Sequence, residues 1–202
     1  GLVALAQMGV LEIHTWGCHI DQVEQPDKLV FDIDPAEDVS WDAIVEAAIE
    51  LRERLSDVGL KSFVQTTGGK GLHVVAPIAR TLTWDQHKAF SYALAERMAA
   101  ENPARYLTNM RKSLRKGKIF LDYLRNGRGA TAIAPYSTRN REGATVAAPL
   151  TWDELVEGVK PSDFTLHRMI DRISELDADP WKDYARLKQT LKPVALRSLG
   201  VK

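Results

Sequence analysis

The segment Leu29-Val30-Phe31-Asp32-Ile33-Asp34-Pro35 constrains the fold more than any other stretch of this 202-residue chain. Leu29 to Ile33 is an apolar, β-prone run that stops at Asp34-Pro35, so it predicts a buried strand ending at a loop. Residues two apart in a strand point to the same face, which sets the Asp32 and Asp34 carboxylates side by side. Like charges that close call for a cation, a shared proton or an arginine. A divalent metal is the simplest compensation; a solvated pair at a strand end beside Pro35 is the plain alternative. No Cys/His cluster has zinc spacing, so an all-oxygen site would suit Mg²⁺ or Mn²⁺.

Around that strand the pattern alternates helix and strand. Ser40 predicts a helix start, with Ile44, Val45, Ala48, Leu51 and Leu55 on one face and Gly59 as its stop. Leu60 to Thr66 and Leu72 to Ile78 read as strands around a glycine-rich turn, Thr67 to Gly71. Thr83-Trp84-Asp85-Gln86 has the capping-box form and opens a helix with Phe90, Leu94 and Met98 as its stripe, ending near Asn102-Pro103. A short basic helix is expected over Thr108 to Arg115, leading through Gly117 into a strand from Ile119 to Leu124. Tyr136 to Pro149 is loop-rich, and Thr151-Trp152-Asp153-Glu154 again has capping-box spacing. Asp163 to Ser174 and Pro180 to Leu191 are the expected tail helices, the latter with Pro180 at its first position, and the tail is expected to pack on the sheet. The reading is one α+β domain over 1–202, with 151–202 as its helical C-terminal part.

Composition excludes some functions. The chain carries 27 basic and 27 acidic residues, so it cannot coat nucleic acid by bulk charge. No run of about 18 apolar residues exists, so no membrane-spanning helix is expected. Gly1 to Val10 lacks the pattern of a signal peptide. The single cysteine, Cys18, rules out an internal disulfide framework and fits a reducing cytoplasm. The neutral sum also hides two opposed parts: Arg105 to Arg141 holds ten basic residues and one acid, Asp122, while the rest of the chain is acidic by the same margin. The basic segment could be a solvated helix face or a salt-sensitive phosphate-binding face.

Asp122 interrupts the apolar run Ile119-Phe120-Leu121-Asp122-Tyr123-Leu124, where an unpaired charge is costly to bury. Arg125 or Lys118 could neutralise it. Alternatively, three acids on two strands can hold two metals about 3.5–4 Å apart and stabilise an in-line phosphoryl displacement. Thr67-Gly68-Gly69-Lys70-Gly71-Leu72-His73 can form an anion-binding nest of N–H groups with Lys70 as a mobile charge, or simply a hairpin turn. It lacks Walker A spacing. His73 could orient a carboxylate, touch a phosphate or be an ordinary core histidine. Ala134-Pro135-Tyr136-Ser137-Thr138-Arg139, followed by Arg141, suggests a fixed loop holding Arg139 for bidentate phosphate contact, against the alternative of loose surface arginines. His14, in Leu11-Glu12-Ile13-His14-Thr15-Trp16-Gly17, is a candidate ligand or base, though a lone histidine is commonly structural.

In this order and spacing, these motifs and the downstream Pro149-Leu150-Thr151-Trp152-Asp153-Glu154-Leu155 resemble one family. It is the polymerase domain of bacterial DNA ligase D, of the archaeo-eukaryotic primase superfamily, and the resemblance runs over nearly the whole chain. It implies a primase-like core with a mixed or antiparallel β-sheet flanked by helices. By resemblance Asp32 and Asp34 match the metal-binding pair and Asp122 the third catalytic carboxylate, serving two Mn²⁺ or Mg²⁺ ions. Lys70 with Thr67, Gly68, Gly69 and Gly71, together with Arg139, matches positions that hold the incoming triphosphate. His14 matches a histidine beside the nucleotide, and His73 that of the second primase-type motif. Arg111, Lys112, Arg115, Lys116, Lys118, Arg125 and Arg128 would follow the nucleic-acid backbone.

The implied activity is addition of nucleotides, preferentially ribonucleotides, to a DNA 3′ end or into a gap during bacterial non-homologous end joining. Its implied partners are DNA ends or gapped DNA, nucleoside triphosphates, Ku, and ligase and phosphoesterase domains, in the cytoplasm beside the nucleoid and away from membranes. Thr67 stands where the family often has serine, and Thr15 where proline is common. The family's domain begins well upstream of Gly1, so the chain is expected to lack strands, basic residues and aromatics of that region. Two other functions share these features: a DNA-end-binding module with little catalysis, and a two-metal phosphoesterase or nuclease.

Overall fold

The computed structural model describes residues 1–201. In chain order its helices and strands are α1 (Leu2–Gln7), β1 (His14–Trp16), β2 (Lys28–Pro35), α2 (Trp41–Asp57), β3 (Phe63–Thr66), β4 (Leu72–Pro77), α3 (Trp84–Glu101), β5 (Tyr106–Leu107), β6 (Ile119–Asp122), β7 (Thr131–Ile133), β8 (Pro149–Leu150), α4 (Trp152–Val156), α5 (Leu166–Glu175) and α6 (Pro193–Ser198). Six strands form one sheet in the order β5-β6-β2-β4-β3-β8, antiparallel except for the β5–β6 pair, and β1 with β7 forms a separate antiparallel ribbon. The fold is the expected mixed α+β arrangement, with β2 at the centre of the sheet.

Alternation along β2 sorts its residues. Leu29, Phe31 and Ile33 are buried and join Val64, Leu72, Val74 and Leu121 in the main core. That core is closed by α2, through Ile44, Ala47, Ala48, Leu51 and Leu55, and by α3, through Phe90, Leu94 and Met98. Both helices begin where their sequence places them. The Ser40 hydroxyl accepts the Ala43 N–H, and Thr83 and Gln86 exchange capping bonds. Thr151 and Glu154 do the same at α4.

The opposite sheet face carries Val30, Asp32 and Asp34. Part of it is covered by the tail: Trp181 and Tyr184 pack on Val30, Val75 and Ala132. Tail packing on the sheet is therefore as expected, but its local structure is not. Pro180 to Leu191 forms no α-helix; only Tyr184–Arg186 makes a 3₁₀ turn, and an unexpected helix, α6, follows Lys192. Trp181 and Tyr184 stack at 5.2 Å between ring centroids, and the Trp181 indole donates to the Val64 carbonyl. The preceding turn, closed by the Tyr184 N–H on the Trp181 carbonyl (2.8 Å), brings these two side chains, three apart, over one another.

The basic stretch Thr108 to Arg115 is also not a helix. It holds a single 3₁₀ turn at Lys112–Leu114, because Met110 and Leu114 are exposed and give it no apolar face to bury. The strand after it stops at Asp122, two residues early, and turns at Leu124–Asn126. α5 starts at Leu166 behind a Thr165 cap rather than at Asp163, and α1 was not signalled. Among the described residues no helix is long and apolar enough to cross a membrane.

Candidate active site

Strand register gathers the polar residues into one transverse row. Asp32 lies opposite Asp122 across β2–β6 and opposite His73 across β2–β4, and His73 lies opposite Gln65 across β3–β4. Four strands thus contribute one polar residue each, in the order Asp122, Asp32, His73, Gln65. The Asp32 side chain is 15% exposed, that of Asp122 12%, and that of Asp34 48%. The exposure gradient leaves Asp34 most open to solvent and the opposed pair Asp32 and Asp122 deeper.

Arginines neutralise these acids. Arg125 sets Nη2 3.3 Å from Asp32 and Nε 3.4 Å from Asp122, and Arg115 sets Nη1 2.5 Å from Asp34. His73 Nε2 stands 3.6 Å from Asp32. Burial pushes the Asp32 carboxyl up, but the charge and hydrogen bonds of His73 and Arg125 outweigh it and hold the group below its ordinary value. The Asp122 carboxyl moves the other way: burial raises it, and neither the Leu124 N–H nor Arg125 cancels that effect beside Asp32 and Asp34.

The glycine loop joins β3 to β4 at the edge of this row. The Thr67 hydroxyl donates to the Gly71 carbonyl and accepts the Gly69 N–H. Two glycines are required by space. A Cβ at Gly71 would stand 2.4 Å from the Ile33 carbonyl oxygen, and one at Gly68, whose φ is +65°, would stand 2.5 Å from the Arg139 side chain. Arg139 donates to the Thr67 carbonyl (2.5 Å) and pairs with Glu12 (3.1 Å). Glu12 also meets His14 at 2.9 Å and accepts the Asn140 N–H. Its carboxyl is lowered to about 2, chiefly by the His14 bond, then by the Asn140 N–H and Arg139 against some burial.

Both groups open on one cavity of about 680 Å³, lined by His14, Asp32, Asp34, Thr67, Gly69, Lys70, Gly71, His73 and Arg139. Asp122 reaches the cavity only through Arg125, which lines it and stands 3.4 Å from the Asp122 carboxylate. Sequence reasoning assigned the basic run to a single face; the structure divides it. Lys112, Arg115, Lys116, Arg125 and Arg141 line the cavity. Arg128 instead pairs with Glu24, and the Lys118 ammonium donates to the Pro103 carbonyl; Arg111 is exposed beyond the cavity lining. Lys70 is exposed and pairs with Glu37 at 3.1 Å.

Among the described residues no three carboxylate, imidazole or thiol groups converge as a ready metal cage. The donor chemistry nevertheless fits a hard divalent cation. Asp32 and Asp122 face each other on adjacent strands, and the positive group between them is a guanidinium whose Nε is buried without a hydrogen-bond partner. A cation replacing that guanidinium would meet the Asp32 and Asp122 carboxylates, with His73 beside Asp32.

A sequence model of the LigD primase-polymerase domain matches residues 1–181. The chain belongs to the LigD primase-polymerase family. The multifunctional non-homologous end joining protein LigD of Pseudomonas aeruginosa is 38% identical over 200 residues, 98% of this chain and 24% of that protein. Its counterpart in Mycolicibacterium smegmatis is 35% identical over 188 residues, again 24% of its length. The chain therefore spans about a quarter of these curated LigD relatives. The solved polymerase domain of Mycobacterium tuberculosis ligase D, in complex with DNA, superposes with a TM-score of 0.83 at 34% identity, covering 92% of this chain and 67% of that one.

Within this LigD-type fold three residues carry more than the sequence suggested. Glu12 links His14 to Arg139; it stands in the family-like stretch Leu11 to Gly17, which gave it no role of its own. Arg125 sits between Asp32 and Asp122, a place the sequence had offered only as one alternative. Asn126, fully buried, gave no signal.

Proposed function

We propose that the chain is a metal-dependent nucleotidyltransferase that adds nucleotides, ribonucleotides among them, to a DNA 3′ end or into a gap during end joining. One observation carries the reading: Asp32, Asp34 and His73 open on the same cavity as the Thr67–Gly71 loop, Lys70 and Arg139, with Asp122 opposite Asp32 on the next strand. Two Mn²⁺ or Mg²⁺ ions, when bound, supply activation of the hydroxyl and charge offset at the transferring phosphate. Asp32, Asp34 and Asp122 would hold them, with Arg125 and Arg115 giving up their carboxylates.

The 3′-oxygen attacks the α-phosphorus, the bond to the β-phosphate oxygen breaks, pyrophosphate leaves and the hydroxyl proton goes to solvent. The Gly69 and Lys70 backbone, the Lys70 ammonium and the Arg139 guanidinium bind and orient the triphosphate. Arg139 is already fixed by Thr67 and Glu12, so its fork is held before the ligand arrives. His14, on the same Glu12 carboxylate, borders the nucleotide. Lys112, Lys116 and Arg141 on the rim face nucleic-acid phosphates. The names of the LigD relatives describe multifunctional proteins, and we place this chain as the polymerising part beside Ku, ligase and phosphoesterase functions.

Extension of a primer on gapped DNA with Mn²⁺ and ribonucleoside triphosphates tests the reading. Wild-type extension that Asp32→Ala removes is the expected result. Unchanged extension by Asp32→Ala, strand cleavage without triphosphate, or salt-sensitive DNA binding with no turnover would each refute it.

A further inference from the structure

β2 is bordered by β4 from Lys28 to Ile33, but by β6 only from Asp32 to Pro35. On the β6 side the main-chain groups of Lys28 and Val30 have no strand to meet, and buried backbone groups need partners. Two side chains take the strand's place. The Asn126 carboxamide accepts the Val30 N–H through Oδ1 (2.8 Å) and donates through Nδ2 to the Val30 carbonyl (2.7 Å), the two-bond pattern of a facing residue in an antiparallel ladder. One rung further along, His87 of α3 sets Nε2 3.0 Å from the Lys28 carbonyl oxygen. Beyond the Asp32–Asp122 rung, the ladder continues on side chains.

Asn126 is fully buried, and its remaining amide hydrogen goes to the Tyr123 carbonyl (3.0 Å). Its own carbonyl lies 3.1 Å from His87 Nδ1. The residue therefore ties β2 and α3 to the turn Leu124–Asn126. That turn starts on the Asp122 carboxylate, which accepts the Leu124 N–H at 2.8 Å, and it carries Arg125, which reaches both Asp32 and Asp122. A displaced Asn126 would move the Arg125 backbone and the spacing of the two strands together.

We propose that Asn126, backed by His87, is a positioning residue for the acid site: it fixes Asp32 against Asp122 and holds Arg125 over both. It touches no reacting atom. Its kinetic consequence rests on the nucleotidyltransferase reading, whereas its geometric consequence stands on the sheet alone.

The test uses Asn126→Asp, which keeps the acceptor for Val30 but turns an oxygen toward the Val30 and Tyr123 carbonyls, with Asn126→Ser as the milder change should the first not fold. Three quantities are measured: the Arg125 Nε–H resonance in metal-free protein, Mn²⁺ affinity by electron paramagnetic resonance, and the kcat and KM of primer extension. The expected result is loss or displacement of the Arg125 resonance and Mn²⁺ binding weaker by about tenfold. Extension kcat should fall on the order of 10- to 100-fold, as for other residues that orient metal ligands. The nucleotide KM should change by less than about threefold, since the Thr67–Gly71 loop and Arg139 are untouched. A folded Asn126 variant of lower thermal stability with the wild-type Arg125 resonance, Mn²⁺ affinity and kcat would overturn the proposal. Failure of the wild type to bind Mn²⁺ or to extend primers counts against the nucleotidyltransferase reading, and the Arg125 resonance then decides the positioning role by itself.

Discussion

On one face of β2, Leu29, Phe31 and Ile33 meet α2 and α3 in the dry core; on the other, one residue out of step, Asp32 and Asp34 look toward the cavity while Val30 lies under Trp181 and Tyr184. The same strand thus supplies the centre of the core and the centre of the candidate site. The two faces bear different costs. The core face is stabilised by burial, whereas the cavity face carries carboxylates paired with Arg125, Arg115 and His73, and the His73 and Arg125 charges hold the buried Asp32 carboxyl below its ordinary value. Rigid packing on one side is what allows close-set like charges to be held on the other.

Substitutions on the two faces should therefore separate stability from chemistry. The largest effect is expected from Asp122→Asn. Extension should fall by about a thousandfold or more, as for loss of a residue that acts as part of a catalytic unit, while the melting temperature at neutral pH rises. The sign follows from burial. A carboxyl whose folded-state value is raised costs stability once pH exceeds its unfolded value, and the amide removes that cost. The advantage of Asn should disappear as pH falls below the ordinary carboxyl range; a lower melting temperature for the variant at neutral pH would contradict the charge argument.

Phe31→Ala, one residue from Asp32 on the opposite face, should cost about 3–5 kcal/mol in denaturant unfolding, with extension per folded molecule nearly unchanged. An equal loss of activity per folded molecule would show that the faces are not separable. Glu12→Gln lies at the cavity edge and should raise the nucleotide KM on the order of tenfold by loosening Arg139. Its stability difference from wild type should be full above the ordinary value of 4.5 and vanish as pH falls toward about 2, because a depressed carboxyl loses its contribution on protonation. Arg128→Ala, which removes an exposed pair with Glu24, should leave the midpoint of denaturant unfolding essentially where it is in the wild type. A larger change there would mean that the basic run outside the cavity has a structural task.

Much of this comparison was legible in the sequence. The strand period placed Asp32 and Asp34 on one face, and the Ser40, Thr83 and Thr151 caps marked where α2, α3 and α4 begin, since those signals are local. Failures occurred where tertiary contacts override local preference. Pro180 to Leu191 has helical character, but Trp181 and Tyr184 gain more by stacking on the sheet. Thr108 to Arg115 was expected as a short basic helix, yet nothing covers Met110 or Leu114. The Asp34 partner of Arg115 and the Asp32 partner of Arg125 depend on register between β2 and β6, which no local pattern specifies; only the Asp122–Arg125 pair, three residues apart, is local. Asn126 in Leu124-Arg125-Asn126-Gly127 reads as an ordinary turn residue; its work as a substitute strand requires β6 to stop at Asp122.

The most direct test of the central claim is anomalous scattering from crystals of the protein grown with Mn²⁺ and a non-hydrolysable nucleoside triphosphate. The account predicts manganese peaks bounded by Asp32, Asp34 and Asp122, with Arg125 withdrawn and the triphosphate against Lys70 and Arg139. Manganese bound elsewhere, or a triphosphate seated away from the Thr67–Gly71 loop while Arg125 still bridges Asp32 and Asp122, would contradict it.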